Sequence, residues 1–285
     1  MLSAVLLAAC ATPAERLDEL AGSLGFIRQL VPGQEFTHVI YRNQAMPGQG
    51  LLHVYLDGDG APWLNTTTVA ADPTPRNPLV LRLMAQDTAP SLYLGRPCYH
   101  GQSSPPCHPL LWTTQRYGSR VVDSMAAALT RVLASAHYAG IVFIGYSGGG
   151  TLAMLLAERF QQTRGVLTVA GNLDPAHWAA GHGYSPLTGS LNPASHPPLP
   201  PAIVQLHLVG GRDDNVTADL VQSFTWQQAC AIFKKIDSFD HTCCWQAVWP
   251  DILIEWQSLL VSNRCLLEAT SYNHHMREAN HVSEK

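Results

Sequence analysis

The sequence predicts an α/β domain whose central sheet is mostly parallel and carries helices on both faces. Three observations predict it. Apolar runs rich in Val, Ile and Leu alternate with helix-like stretches along most of the 285 residues, the order expected of strand–helix units. One of these runs, 140–144, passes through a glycine-rich turn straight into good helix formers at 151–160. Two polar clusters containing Asp and His follow directly on later apolar runs, at the sheet edge where open α/β folds hold their ligands.

Composition fits this class. With 46% hydrophobic and 13% charged residues and a formal charge of −4, the chain can bury a sizeable single core. No face-sized cluster of Lys and Arg appears, so no nucleic-acid partner is expected.

Residues 1–10 form a short apolar run that ends in small residues before Cys10, the length of a secretory signal segment. Leu7-Ala8-Ala9-Cys10 resembles a bacterial lipobox, in which the cysteine is lipidated and becomes the mature N-terminus. No Lys or Arg precedes the run, a departure from the usual charged start. The expectation is a protein anchored through Cys10 on the periplasmic side of a bacterial envelope, at the outer membrane. No other segment reaches the roughly 18 apolar residues of a membrane span.

The chain has seven cysteines, and setting Cys10 aside leaves an even number, which favours disulfides in an exported protein. Cys98 and Cys107 bracket a loop containing Gly101, Pro105 and Pro106 and are the best pair. Cys230 is expected to join Cys243 or Cys244, leaving the other for Cys265. The group Cys98, His100, Cys107 and His108 matches no familiar zinc spacing, nor do His177, His182 and His196. No metal and no cofactor is expected.

In chain order, residues 11–35 read as a tether with a short amphipathic helix, because Leu17, Leu20, Leu24, Ile27 and Leu30 fall near helical spacing. Residues 36–41 and 51–56 read as strands, 77–85 as a short helix, and 91–94 as a strand entering the Cys98–Cys107 loop. Residues 116–137 read as a helix that turns Val121, Val122, Met125, Leu129 and Val132 to a core. The strand at 140–144 and the helix at 151–160 come next, then a strand at 165–170. Residues 172–201 are proline-rich without periodicity and read as an irregular, cap-like insertion. A strand at 202–209, a helix at 218–228, a strand at 231–236 and a closing helix at 245–261 complete the domain. Residues 263–285 read as a polar tail.

Gly145-Tyr146-Ser147-Gly148-Gly149 lies at the junction of strand and helix. Glycines there let the chain turn sharply, so that a serine held in strained geometry presents its hydroxyl at a helix N-terminus. A serine hydroxyl needs a base and a carboxylate to orient that base. After the strand at 202–209 comes Gly210-Gly211-Arg212-Asp213-Asp214-Asn215-Val216, and after 231–236 comes Asp240-His241. The order is Ser, Asp, His, with Asp213 66 positions after Ser147 and His241 28 positions after Asp213.

On these residues, from roughly 36 to 262, the chain resembles an α/β-hydrolase. The resemblance implies Ser147 as nucleophile, His241 as general base and then acid, and Asp213 as orienter, with Asp214 the alternative acid. It also implies an oxyanion hole of two amides, Gly148 and Asp59, the latter from the loop Asp57-Gly58-Asp59-Gly60 that stands in place of the family's His-Gly loop. The Asp59 carboxylate should then point away from the oxyanion. The block Gly95-Arg96-Pro97-Cys98, Trp112-Thr113 and Arg116-Tyr117, with the lipobox, resembles bacterial lipoprotein α/β-hydrolases. Trp112 and Tyr117 are expected in the core. The function expected is exported serine hydrolysis of a small ester-type substrate through an acyl-enzyme. The alternatives are an acyltransferase, a thioesterase or amidase on the same triad, or a non-catalytic lipid-anchored envelope protein that keeps the fold.

Overall fold

The computed structural model describes residues 11–48 and 50–262 of the chain. Cys10, Cys265 and the tail from 263 to 285 lie outside the described residues, and with them the expectations of a signal peptide and lipidation.

Thr12 opens helix α1 (Pro13–Ser23) through a reciprocal capping box with Glu15. The helix stops at Leu24, and Gly25 beyond it takes φ +78°, a backbone position that favours glycine. The next element is strand β1 (Ile27–Pro32), not the helix that the spacing of Leu24, Ile27 and Leu30 suggested. Gly25 breaks the helical phase, and Ile27 and Leu30 are exposed on an edge strand instead of packing inward. Nor is 11–35 a tether, since Leu17 and Ala21 of α1 are buried in the core and β1 pairs antiparallel with β2 (Thr37–Arg42).

The remaining strands are β3 (Leu51–Leu56), β4 (Ser91–Leu94), β5 (Gly140–Tyr146), β6 (Thr163–Val169), β7 (Val204–Gly210) and β8 (Ala231–Ile236). They form one sheet in the order β1-β2-β4-β3-β5-β6-β7-β8, antiparallel at β1-β2 and β2-β4 and parallel from β4 to β8. Helices α3 (Ser119–Ala134), α4 (Gly148–Ala157) and α6 (Ala218–Thr225) cover one face, while α1, α2 (Leu79–Met84) and α7 (Trp245–Ser262) cover the other. In β5, Ile141 and Phe143 pack with the first group and Val142 and Ile144 with the second. Burial on both sides is why this strand reads as an unbroken apolar run.

The insertion is less irregular than the sequence suggested. Asp174 accepts the His177 N–H and caps helix α5 (Pro175–Gly181), and a single 3₁₀ turn spans Pro193–Ser195. Trp112 and Tyr117 are buried, as expected of core residues.

Cys98 and Cys107 form a disulfide with Cα atoms 5.6 Å apart. Cys243 and Cys244 pair with each other, which replaces the expected bridge from Cys230 to one of them. Cys230 precedes β8 and the other two follow it, so a six-residue strand, about 20 Å long, separates them. That span is far beyond disulfide reach. Cys230 is itself disulfide-bonded.

Three buried histidines make the core acid-sensitive. His38 donates from Nδ1 to Gly95 O and accepts at Nε2 from Ser124 Oγ. Burial lowers it to about 4, and it lowers His100 and His207 to about 3. All three are therefore neutral when folded, whereas in the unfolded chain they take protons below about pH 6.5. Stability from these groups is full above that pH and is lost as pH falls toward 4 and 3. Asp57 opposes this, because burial pushes it up to about 7 and the folded state then holds one extra proton. Three against one, stability should fall by on the order of 2 kcal/mol per pH unit between about pH 6 and 4.5. Urea midpoints at pH 7 and pH 5 check this, and equal midpoints would refute it.

Candidate active site

The six parallel strands run the same way, so the segments after β3, β5, β6, β7 and β8 converge at one edge. Ser147 stands between β5 and α4 with φ +52° and ψ −123°, a strained conformation for a residue with a side chain. The turn is tight enough that a Cβ at Gly145 would collide with the Gly149 carbonyl. Ser147 Oγ lies 3.0 Å from His241 Nε2, and His241 Nδ1 donates to Asp213 Oδ2 over 2.8 Å. With Nδ1 carrying the proton, Nε2 is the acceptor for the serine hydroxyl. The arrangement can therefore pass a proton from Ser147 to His241 while Asp213 holds the ring. Asp213 is buried, and its Oδ1 accepts the backbone N–H groups of Asn215 and Val216. Asp214, next in sequence, is exposed and makes no hydrogen bond to His241 among the described residues. Asp240 accepts the Thr242 and Cys243 N–H groups and so forms the turn after His241.

The 57–60 segment flanks Ser147 from the β3 side. The Asp59 carboxylate lies in a buried cluster, where Arg96 donates to it over 2.9 Å, Arg116 over 2.8 Å and the Tyr117 hydroxyl over 2.7 Å. Burial would raise the Asp59 carboxyl, but Arg116 and Arg96 outweigh it and hold the group below the usual carboxylate range. A Cβ on Gly148 would collide with Asp59 and Tyr117, so the start of α4 and this cluster are in direct contact. The Gly58 N–H is spent on Asp57 Oδ1, whereas the N–H groups of Asp59 and Gly148 have no hydrogen-bond partner among the described residues.

No protein-family model and no curated protein sequence matches this chain. Solved structures do. An esterase from Pyrococcus furiosus superposes with a TM-score of 0.56 and 13% identity over 90% of this chain and 94% of its own. A candidate lipase of Acinetobacter baumannii gives 0.60 and 12% over 91% and 100% of the two chains. An Agrobacterium tumefaciens protein assigned as a candidate α/β hydrolase gives 0.52 and 14% over 84% and 96%. The chain has the α/β-hydrolase fold.

On this α/β-hydrolase fold the insertion after β6 forms part of the wall of a cavity of about 990 Å³ at the converging edge. Ser147 and His241 open into it, with Trp63, Trp178, Tyr184 and Leu187 in its wall. Trp178, His182 and Tyr184 form a ring cluster, with His182 stacked on Tyr184 at 5.2 Å. Trp63 and Tyr184 are about half exposed, which places them at the mouth.

Asn215 joins this cluster to His241, a link that sequence reasoning missed. Its Oδ1 accepts from Trp178 Nε1 over 3.2 Å, and its backbone oxygen accepts from His182 Nε2 over 2.8 Å. An indole N–H can only donate, so the amide nitrogen must face the other way, where it lies 3.1 Å from His241 Nε2. Its place between Asp213 and Val216 was the one available signal. The sequence held no sign that Arg96, Arg116 and Tyr117 meet on one carboxylate. Their pairing depends on three loops that meet in space.

Proposed function

We propose that the protein is an exported serine hydrolase that cleaves carboxylic esters through an acyl-enzyme on Ser147. The observation that carries this reading is the chain of hydrogen bonds Ser147–His241–Asp213 anchored on a strained serine. Ser147 Oγ attacks the ester carbonyl carbon as His241 Nε2 takes its proton. The carbonyl oxygen becomes an oxyanion and accepts from the N–H groups of Gly148 and Asp59. His241 then returns the proton to the departing alkoxide, and the acyl group remains on Oγ. A water, deprotonated by His241, attacks the acyl carbon in turn and regenerates the serine.

The electrostatics of the 57–60 loop support the same reading. Two guanidiniums hold the Asp59 carboxylate behind its amide, so its negative charge is offset where an oxyanion forms. The aromatic wall of the cavity suits an apolar acyl or alcohol group. Solved structures of the same fold include an esterase and a candidate lipase.

The deciding experiment is labelling by a fluorophosphonate probe, which needs an activated serine. Wild type should be labelled and Ser147→Ala should not. A well-folded wild type that stays unlabelled would overturn the reading in favour of a non-catalytic protein.

We also propose that Cys10 is lipidated and tethers this hydrolase to the periplasmic face of a bacterial envelope, on the strength of Leu7-Ala8-Ala9-Cys10. In a bacterial host, Cys10→Ser should move the protein from the membrane fraction to the soluble one. Retention of that variant in the membrane would exclude lipidation as the tether.

A further inference from the structure

Asn172 lies just past β6, between Ser147 and the Asp213 loop on the converging edge. Its backbone is pinned on both sides: the N–H donates to Ser147 O over 2.9 Å, and the carbonyl accepts from Thr151 Oγ1. The residue is only 3% exposed, yet it lines the cavity that contains Ser147 and His241. Its Oδ1 is buried without a hydrogen-bond partner among the described residues. A buried carboxamide oxygen left unsatisfied is costly, and folded proteins keep few of them. Asn215, across the same wall, shows the contrast: every polar group it has is used.

We propose that Asn172 is a substrate-recognition residue, and that the substrate is an ester carrying a second hydrogen-bonding group, an amide or a hydroxyl, near the scissile carbonyl. This deepens the ester-hydrolase reading and rests on it. The pinned backbone keeps the carboxamide beside Ser147, so the group that satisfies it lies within a few bonds of the carbon under attack. A half-turn of the side-chain amide exchanges its donor and acceptor ends, which is why an amide or a hydroxyl serves equally. A plain aliphatic ester offers nothing to this amide and leaves it unpartnered. Sites built to bond a polar group discriminate against analogues that lack it for this reason.

Two pairs of esters, matched in shape, test the proposal. On the acyl side, p-nitrophenyl N-acetylglycinate is compared with p-nitrophenyl 4-methylpentanoate, each rate divided by its rate with hydroxide. On the alcohol side, 2-acetamidoethyl butyrate is compared with 4-methylpentyl butyrate in the same way. Wild type should prefer the amide member of at least one pair by about tenfold or more in kcat/KM, the size of one hydrogen bond to a buried group. Asn172→Leu, similar in volume, should abolish that preference while fluorophosphonate labelling of Ser147 persists. Should Asn172→Leu not fold, Asn172→Asp keeps the shape, removes the donor end and must also change the preference. Equal rates within both pairs in wild type, or a preference untouched by either variant, would overturn the proposal. Loss of labelling in wild type itself would instead overturn the hydrolase reading beneath it.

Discussion

Ser147→Ala should lower ester turnover by about four to six orders of magnitude, while the urea midpoint stays within experimental error or rises. The size reflects how a nucleophile, its base and its orienter act as a unit. Removal of the nucleophile leaves only the residual rate from binding and the oxyanion amides. Alanine deletes Oγ, the one atom that His241 Nε2 approaches from this residue, at 3.0 Å. It deletes no backbone contact, since Ser147 N still donates to Val169 O and Ser147 O still accepts from Asn172 and Gly150. Steady-state hydrolysis of p-nitrophenyl butyrate measures the loss. A variant that kept more than about one hundredth of the activity would exclude acyl-enzyme chemistry at this serine.

Asp59→Ala should cost the fold about 3–5 kcal/mol, the usual consequence of stranding a buried charge by removing its partner. The effect belongs at the upper end, because one carboxylate serves two guanidiniums whose side chains are 5% and 9% exposed. Among the described residues, the other hydrogen bonds of the Arg96 side chain go only to the Arg116 and Asp57 carbonyls, at 3.4 Å each. The hydroxyl of Tyr117 would lose its acceptor as well. Urea unfolding compares the variant with wild type, and a loss below about 1 kcal/mol would show that the cluster does not hold the loop. The same substitution should depress turnover, since the loop that carries the Asp59 amide loses its anchor. Among the described residues, the Tyr99 hydroxyl, which donates to Asp59 O over 3.0 Å, is the one remaining hydrogen bond from a neighbouring loop to that residue.

Elements with strong local signals were legible in the sequence, and those whose signals imitate another state were not. Strands β3, β4 and β8 match the expected runs at 51–56, 91–94 and 231–236 because β-branched and aromatic residues cluster between clear breakers. Strand β1 is disguised because exposed Ile27 and Leu30 mimic a helical stripe, and the signal that mattered was Gly25. Helix α5 is hidden among prolines because Pro175 at its first turn, which favours helix entry, looks the same in composition as a loop proline.

By itself the sequence determined the parallel α/β order, the strained turn at Ser147, and the positions of Asp213 and His241 after successive strands. These are local properties, set by periodicity, by turn chemistry and by the rule that parallel strands end on one edge. Only the tertiary structure decided the rest. It placed Asp213 and not Asp214 against the imidazole, because Oδ1 of that residue is claimed by the N–H groups of Asn215 and Val216. It gathered Arg96, Arg116 and Tyr117 onto Asp59, joined Trp178 to His241 through Asn215, and left Asn172 Oδ1 unpartnered in the cavity wall. Each of these depends on hydrogen bonds between loops far apart in the chain, and no local pattern of residues encodes which distant loops will meet.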